Sequence, residues 1–150
     1  MALSSYLVLL LGLAAASAAS AGGFDSPEDA VRGLEQAYMQ KSADSAVAAL
    51  DFVEEGRQLL QETNPLLAGD AESIKHAAEL LERSFREELT TKGFPDFSNL
   101  KCTFVGKAQV APELIKLTEQ CALPDGRKRV QDVMVKHSTG WRVVLASPVF

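Results

Sequence analysis

Two cysteines and two carboxylic acids are the residues of this chain that could form a covalent cross-link or an acid–base pair. Cys102 and Cys121 are the only cysteines, and a bond between them would cross-link two neighbouring segments. Glu119 and Asp132 lie in stretches where apolar and polar residues alternate. Two carboxyl groups held close together in an apolar setting repel each other, which raises the pKa of one and prepares it as a general acid or base. Whether either pair meets depends on the elements that carry it.

Other catalytic and metal-binding motifs are absent from the sequence. It contains no HExxH or CxxC motif, no glycine-rich phosphate loop and no GxSxG nucleophile motif. His76 falls within a helical segment and His137 precedes a turn, where ordinary surface or packing roles are enough. The absence of these motifs therefore predicts no catalytic residue, no metal site and no cofactor.

The second part of the chain has the period-two pattern of β-strands. Four such segments cover residues 100–110, 114–123, 127–137 and 141–147. Short turns separate them at Ala111-Pro112, Pro124-Asp125-Gly126 and Ser138-Thr139-Gly140. Turns this short predict antiparallel neighbours and hence a meander.

The expected register brings each candidate pair together. Folding the first hairpin about Ala111-Pro112 places Cys102 opposite Cys121, at a separation that suits a disulfide; two free thiols are the alternative. Folding the second hairpin about Asp125-Gly126 places Glu119 opposite Asp132 on a largely apolar face. The alternative here is a slip of one residue, which moves a side chain to the solvent face.

Three helical segments precede the strands. The first begins at Ser26-Pro27, where serine can cap and proline suits the first helical position. The second runs from Asp44 to Asn64-Pro65 with Gly56 inside it, and the third from Asp70 to about Lys92, ended by Gly93. Helices followed by an antiparallel sheet predict an α+β domain over residues 22–150, with three N-terminal helices packed on a curved four-stranded meander.

Aromatic residues and acids could line a pocket between the helices and the sheet. Phe94 and Phe97, which directly follow the third helix, are expected to turn inward and close one end of the sheet. The candidate pocket residues are Phe52, Phe94, Phe97, Phe104, Glu119, Asp132 and Trp141. The alternative is that the large aromatics are ordinary core residues.

Residues 1–21 are typical of a secretory signal peptide. The stretch YLVLLLGLAAASAASA has an apolar run followed by small residues that end in Ala19-Ser20-Ala21. The apolar part is shorter than the roughly 20 residues of a spanning helix, although an uncleaved anchor is the alternative. We expect export to the periplasm or the medium, no membrane attachment after cleavage, and one disulfide.

The charge balance narrows the choice of partner. The chain carries 15 basic and 20 acidic residues, a formal net charge of −5. An acidic chain is a poor ligand for nucleic acid or an anionic membrane, whereas a basic protein is a plausible partner.

Several motifs together resemble a known fold family. They are residues 26–31 (SPEDAV), 51–55 (DFVEE), 84–88 (SFREE), 93–97 (GFPDF), 124–126 (PDG) and 140–143 (GWRV). The pattern is similar to the nuclear-transport-factor-2-like, cystatin-like cone fold, and more narrowly to bacterial immunity proteins of polymorphic toxin systems. The resemblance implies a small non-enzymatic protein that binds and neutralises a toxin, and it makes a homodimer through the sheet an expectation. Within the superfamily the alternatives are a pocket protein for a small apolar ligand, or an isomerase- or dehydratase-like enzyme using Glu119 and Asp132.

Overall fold

The computed structural model describes residues 22–145. The predicted signal segment 1–21 and residues 146–150 lie outside this range. The helical elements are α1 (Pro27–Met39), α2 (Ala43–Ala49), α3 (Phe52–Thr63), a short 3-10 turn (Pro65–Leu67) and α4 (Ala71–Lys92). The strands are β1 (Lys101–Ala111), β2 (Leu114–Ala122), β3 (Lys128–His137) and β4 (Trp141–Val144).

The strands form one antiparallel sheet in the order β1-β2-β3-β4. Helix α1 packs across β2, β3 and β4, while α3 and α4 pair with each other. The predicted α+β architecture, helices on one face of an antiparallel meander, is therefore confirmed. Within residues 22–145, none of the helices has the length and apolar content needed to cross a membrane.

The predicted second helix is wrong in one respect: the chain breaks it into α2 and α3. Ser42, rather than Asp44, caps α2 by accepting from the Ser45 amide. Leu50 then leaves the helix in an extended conformation and forms a parallel bridge with Val143 of β4. The apolar stripe continues across this break, which is why periodicity alone did not show it. A tertiary pairing with the sheet overrides the local helical pattern.

The first hairpin joins the two cysteines as predicted. Cys102 pairs with Cys121, and their sulfurs form a disulfide with a Cα–Cα distance of 4.0 Å. The tip of the hairpin, however, is Pro112-Glu113, between Ala111 and Leu114. Two register shifts in β1 lie between the tip and the cysteines and compensate for this offset.

The predicted pairing of Glu119 with Asp132 is wrong by one residue. Glu119 pairs with Gln131, and Asp132 pairs with Thr118 on the opposite sheet face. The cause is the turn: the chain closes a three-residue loop with Gly126 at φ +84°, and the Leu123 amide donates to the Arg127 carbonyl. A three-residue loop with glycine at the left-handed position competes with the two-residue loop that the sequence suggested.

The close approach of α3 to α4 explains Gly56. A Cβ atom built there would lie 3.0 Å from both the Ala78 nitrogen and the Ile74 oxygen, which belong to the backbone of α4. Glycine costs helix stability, yet here its missing side chain lets the two helix backbones touch.

Candidate functional site

A cluster of charged side chains connects α1 to the sheet. Arg32 Nη1 donates to Glu35 Oε2 at 2.6 Å and to Glu119 Oε1 at 2.5 Å. Its Nη2 donates to the Cys102 carbonyl at 3.0 Å, and its guanidinium lies 4.3 Å from the centre of the Phe104 ring. Glu119 is fully buried, with 0% exposure. One cation therefore bridges two carboxyl groups over an aromatic face. This arrangement stabilises the fold only if all its partners are present, because removing one leaves a buried charge unpaired.

The two carboxyl groups of this cluster have different surroundings. Gln131 donates from Nε2 to Glu119 Oε2 at 2.8 Å, so both oxygens of Glu119 are satisfied. Glu35 is 9% exposed, and its Oε1 is buried without a hydrogen-bond partner. Burial raises the pKa of Glu35 to about 7, with a contribution from the neighbouring charge of Glu119 that Arg32 only partly offsets. The excess charge of the cluster is thus balanced by a proton that Glu35 holds near neutral pH.

Glu35 also lines a cavity of about 230 Å³ between α1 and strands β3 and β4. Most of the wall is apolar, formed by Val31, Leu34, Val133, Met134, Val143 and Val144. Phe97 and Tyr38 close one side, with ring centres 6.1 Å apart and planes at 14°. Burial, together with the charges of Glu55 and Glu88, raises the pKa of Tyr38 to about 12, so its hydroxyl remains a donor. The cavity is small, largely apolar and provided with a few polar groups, as ligand sites commonly are.

A larger concave surface lies between α3 and α4. This groove has a volume of about 650 Å³, and its lining includes Leu59, Leu60, Leu67, Ala77, Leu80 and Leu81. Leu80 is 46% exposed, and Leu66, next to the groove in sequence, is 93% exposed. Contiguous exposed apolar surface with a polar rim marks binding sites far more often than scattered exposed leucines do.

The groove contains a partly buried acid of its own. Glu55 Oε1 accepts a hydrogen bond of 2.9 Å from the Leu145 amide, and both residues line the groove. Burial and the nearby charge of Asp51 raise the pKa of Glu55 to about 7 in spite of that hydrogen bond. The other titratable residues of the lining are Glu62 and His76, and it includes no lysine or arginine.

Glu54 shows the opposite electrostatic behaviour and has a structural role. It is buried at the start of α3 and accepts hydrogen bonds from Arg57, Gln58 and Lys136. Burial alone would raise its pKa, but these donors lower the pKa of Glu54 to about 2. Because Lys136 belongs to β3, the group ties α3 to the sheet.

The predicted pocket residues are distributed over several places. Phe97 and Asp132 are among the residues that line the small cavity, although the Asp132 side chain is 52% exposed and pairs with Thr118 and Lys116. Phe104 and Glu119 both contact Arg32. Phe52 packs on Phe85 between helices, with ring centres 5.7 Å apart. Trp141 lies beside His137 and bridges to Phe24, and Phe94 packs against the core.

Possible metal ligands converge at one point among the described residues. Ligand atoms of Cys102, Glu119 and Cys121 lie within 4.8 Å of one another. Both sulfurs are bonded in the disulfide, and a disulfide provides no thiolate to a metal. These three residues therefore serve as a cross-link beside a buried acid.

Sequence reasoning missed Glu35, although a signal for it exists. Val31, Glu35 and Tyr38 follow one another at intervals of four and three residues, so the acid lies on the apolar stripe of α1. A charged residue at a core position of an amphipathic helix indicates a buried ion pair or a site. Its partner Arg32 lies on the adjacent flank, and no pattern in the sequence indicates that its side chain reaches β2.

Comparison with known proteins gives little beyond the architecture. No model of a known protein family matches the chain, and no curated protein matches it. A solved Campylobacter jejuni structure described as an NTF2-like transpeptidase is similar over 81% of this chain and 100% of its own, with 14% identity and a TM-score of 0.44. A similarity of that level carries no argument about activity. The resemblance to bacterial immunity proteins therefore stays a prediction.

Proposed function

We propose that this chain is an exported, non-enzymatic binding protein that holds a protein partner in the groove between α3 and α4. The observation that carries the proposal is the groove itself. It is apolar, partly exposed and about 650 Å³ in volume, larger than packing defects and within the range of binding sites. Leu80 and Leu67 would become buried on binding, which would stabilise a complex by removing apolar surface from water.

The charges of the groove select the chemistry of the partner. Glu55 and Glu62 contribute carboxyl groups to the lining, and no lysine or arginine opposes them there. The whole chain carries a net charge of −5. An amphipathic segment with an apolar stripe and flanking lysines or arginines therefore fits best, because its apolar face fills the groove while its cations meet the carboxylates.

An immunity-type role is the specific form of this proposal. A protein that occupies a basic, apolar segment of a toxin neutralises it without catalysis. The resemblance of motifs such as residues 93–97 to bacterial immunity proteins supports this form. The acidic charge supports it too, since toxins that act on nucleic acid or anionic membranes present basic surfaces.

Site-specific photocrosslinking in the native host tests the proposal. A photoreactive amino acid replaces Leu80 in the groove or, as the matched control, Val130, which is an exposed apolar residue of β3. We expect one basic protein to be captured through position 80 and not through position 130. The purified partner should then bind Leu80→Glu at least tenfold more weakly than wild type, while circular dichroism shows the variant folded. Co-expression should protect cells from that partner.

Two outcomes would overturn the proposal. Capture of a second copy of this chain through position 130 alone would make the sheet a homodimer interface. A partner that binds the folded Leu80→Glu variant as tightly as wild type would place the interface elsewhere.

The enzymatic alternative depended on a pairing of Glu119 with Asp132 that the structure does not contain. Asp132 lies on the opposite sheet face from Glu119, so those two acids do not form a catalytic pair. The acid that meets Glu119 at Arg32 is Glu35, in a cavity that suits a small ligand.

A further inference from the structure

We propose that the cavity between α1 and strands β3 and β4 binds a small organic cation, an ammonium group on an apolar or aromatic body, and that Glu35 receives the ammonium. This cavity and the groove between α3 and α4 meet at Leu145, which lines both. The two proposals concern different ligands and are tested by different measurements. The first support is size and shape. About 230 Å³ lined mainly by valine, leucine and methionine side chains suits a compact apolar body with one polar end.

The second support is an acceptor without a donor. Glu35 Oε2 receives its hydrogen bond from Arg32, whereas Oε1 is buried and has no partner. A buried acceptor left unsatisfied is destabilising, so a donor at this oxygen is favoured. A proton supplies it at low pH, and an ammonium N–H would supply it when Glu35 is ionised.

The third support is the aromatic side of the cavity. The rings of Tyr38 and Phe97 are stacked, and both line the space. Burial raises the pKa of Tyr38 to about 12, so its hydroxyl keeps its proton and can donate to, or accept from, a polar group of a ligand. Aromatic faces attract cations, most strongly where water is excluded.

Charge decides between a cation and other ligands. Around Glu35 the charged groups are Arg32 on α1 and Glu119 on β2, while β4 contributes apolar side chains to the cavity. The Asp132 carboxylate of β3 is engaged by Thr118 and Lys116 on the other sheet face. With every acid ionised, one guanidinium faces an excess of carboxylates, and no lysine or arginine lines the cavity. An anion would be repelled. A cation would replace the proton on Glu35 and restore the balance.

Competition with a proton gives the proposal a quantitative signature. Because burial raises the pKa of Glu35 to about 7, a cation must displace that proton below neutral pH. Affinity for a cation should then rise roughly 30-fold between about pH 5.5 and about pH 8.5, with most of the rise below pH 7. A neutral ligand that accepts from protonated Glu35 would show the opposite trend.

Titration of the full folded chain with benzylammonium, followed by NMR and calorimetry, tests the proposal, with benzyl alcohol as the uncharged counterpart. We expect benzylammonium to shift signals of Val133 and Phe97, with affinity rising with pH. Glu35→Gln should weaken binding at least tenfold at high pH and remove the pH dependence. Its amide preserves the size of the acid, so the variant should fold. Tyr38→Phe should weaken binding less and keep the pH dependence.

Three results would each overturn this inference. The first is that benzyl alcohol binds as tightly as benzylammonium at high pH. The second is that the affinity for benzylammonium falls as pH rises. The third is that millimolar benzylammonium shifts no NMR signal from the cavity of the folded wild-type protein.

Discussion

Glu35 and Glu119 direct their carboxyl groups to the same nitrogen atom, Nη1 of Arg32. The distances are 2.6 Å from Glu35 Oε2 and 2.5 Å from Glu119 Oε1. The two acids come from different elements, α1 and β2, so the guanidinium connects the first helix to the middle of the sheet. Because Glu119 has no exposure to solvent, its charge depends on Arg32 and Gln131 for stabilisation. This group of side chains therefore determines both how the helix docks and how the cavity is charged.

Replacing Arg32 by methionine should destabilise the fold strongly. The substitution retains much of the apolar stem but leaves the buried Glu119 without its cation. Breaking a fully buried pair costs about 3–5 kcal/mol, and we expect less here because the Arg32 side chain is 37% exposed. Chemical denaturation should show this decrease in the free energy of unfolding near neutral pH. The double variant Arg32→Met/Glu119→Gln should recover most of it, because position 119 no longer carries a charge and Glu35, whose pKa burial raises to about 7, can keep its proton.

A matched surface pair provides the control for that experiment. Arg127 is bonded to Asp125 in an exposed turn, and exposed ion pairs contribute about 0–1 kcal/mol. Arg127→Met should therefore change stability by less than Arg32→Met does. Equal decreases in the free energy of unfolding for the two single variants would show that the Arg32 cluster stabilises the fold no more than an exposed ion pair does.

Stability should be greatest near pH 4.5. Burial raises the pKa of Glu35 and of Glu55 to about 7 from the usual value of 4.5, so the folded chain binds these protons more tightly than the unfolded chain. The stability that these two acids contribute is therefore complete below pH 4.5 and is lost as pH rises to 7. For Glu54, hydrogen bonds overcome the effect of burial and lower the pKa to about 2. Its contribution is complete above pH 4.5 and is lost as pH falls to 2. Each contribution is at most about 3 kcal/mol.

Urea denaturation across this pH range, with three variants, checks the assignment. Glu35→Gln and Glu55→Gln should each flatten the loss of stability above pH 4.5, because glutamine does not titrate. Glu54→Gln should instead flatten the loss below pH 4.5 and lower the maximum. A wild-type stability that increases steadily from pH 4.5 to pH 7 would contradict the raised pKa values of both acids.

The sequence predicts the elements of this fold better than their mutual placement. Cys102 and Cys121 are found opposite each other because two register shifts in β1 cancel the error in the position of the turn. No such compensation exists in the second hairpin, so Asp132 moves to the other face. Side chains alternate along a strand, and an error of one residue therefore reverses the face of every side chain in it.

The candidate sites depend on tertiary relationships that a single sequence does not contain. Leu50 leaves the helical stripe only because Val143 of β4 is available as a partner. The groove exists because α3 and α4 pair over Gly56 and leave the leucines beside it exposed. Glu35 could have been noticed on the apolar stripe of α1. The reach of Arg32 to Glu119, 87 residues away, could not.

Replacing Gly56 by alanine should destabilise the protein, although alanine is the better helix former. The gain in helix propensity is about 0.8–1.0 kcal/mol. A Cβ atom at this position would lie 3.0 Å from two backbone atoms of α4, and overpacking of this kind costs about 1–3 kcal/mol. We expect a net loss of up to about 2 kcal/mol in thermal or chemical denaturation. Gly69→Ala is the control, because no atom lies within 4 Å of its Cβ position. Stabilisation by Gly56→Ala would mean that the two helices separate easily.

Reduction of the disulfide should weaken both the sheet and the Arg32 cluster. The bridge closes a loop with a sequence separation of 19, and a loop of that length is worth about 3 kcal/mol. It also fixes Cys102, whose carbonyl accepts a hydrogen bond from Arg32 at 3.0 Å. Denaturation with and without reductant should show the difference, and the double variant Cys102→Ala/Cys121→Ala should be insensitive to reductant. Mass spectrometry of the unreduced protein, purified from the periplasm or medium, should detect a linked Cys102–Cys121 peptide, as expected for an exported chain. Two free thiols in that material would contradict both the cross-link and the proposed export.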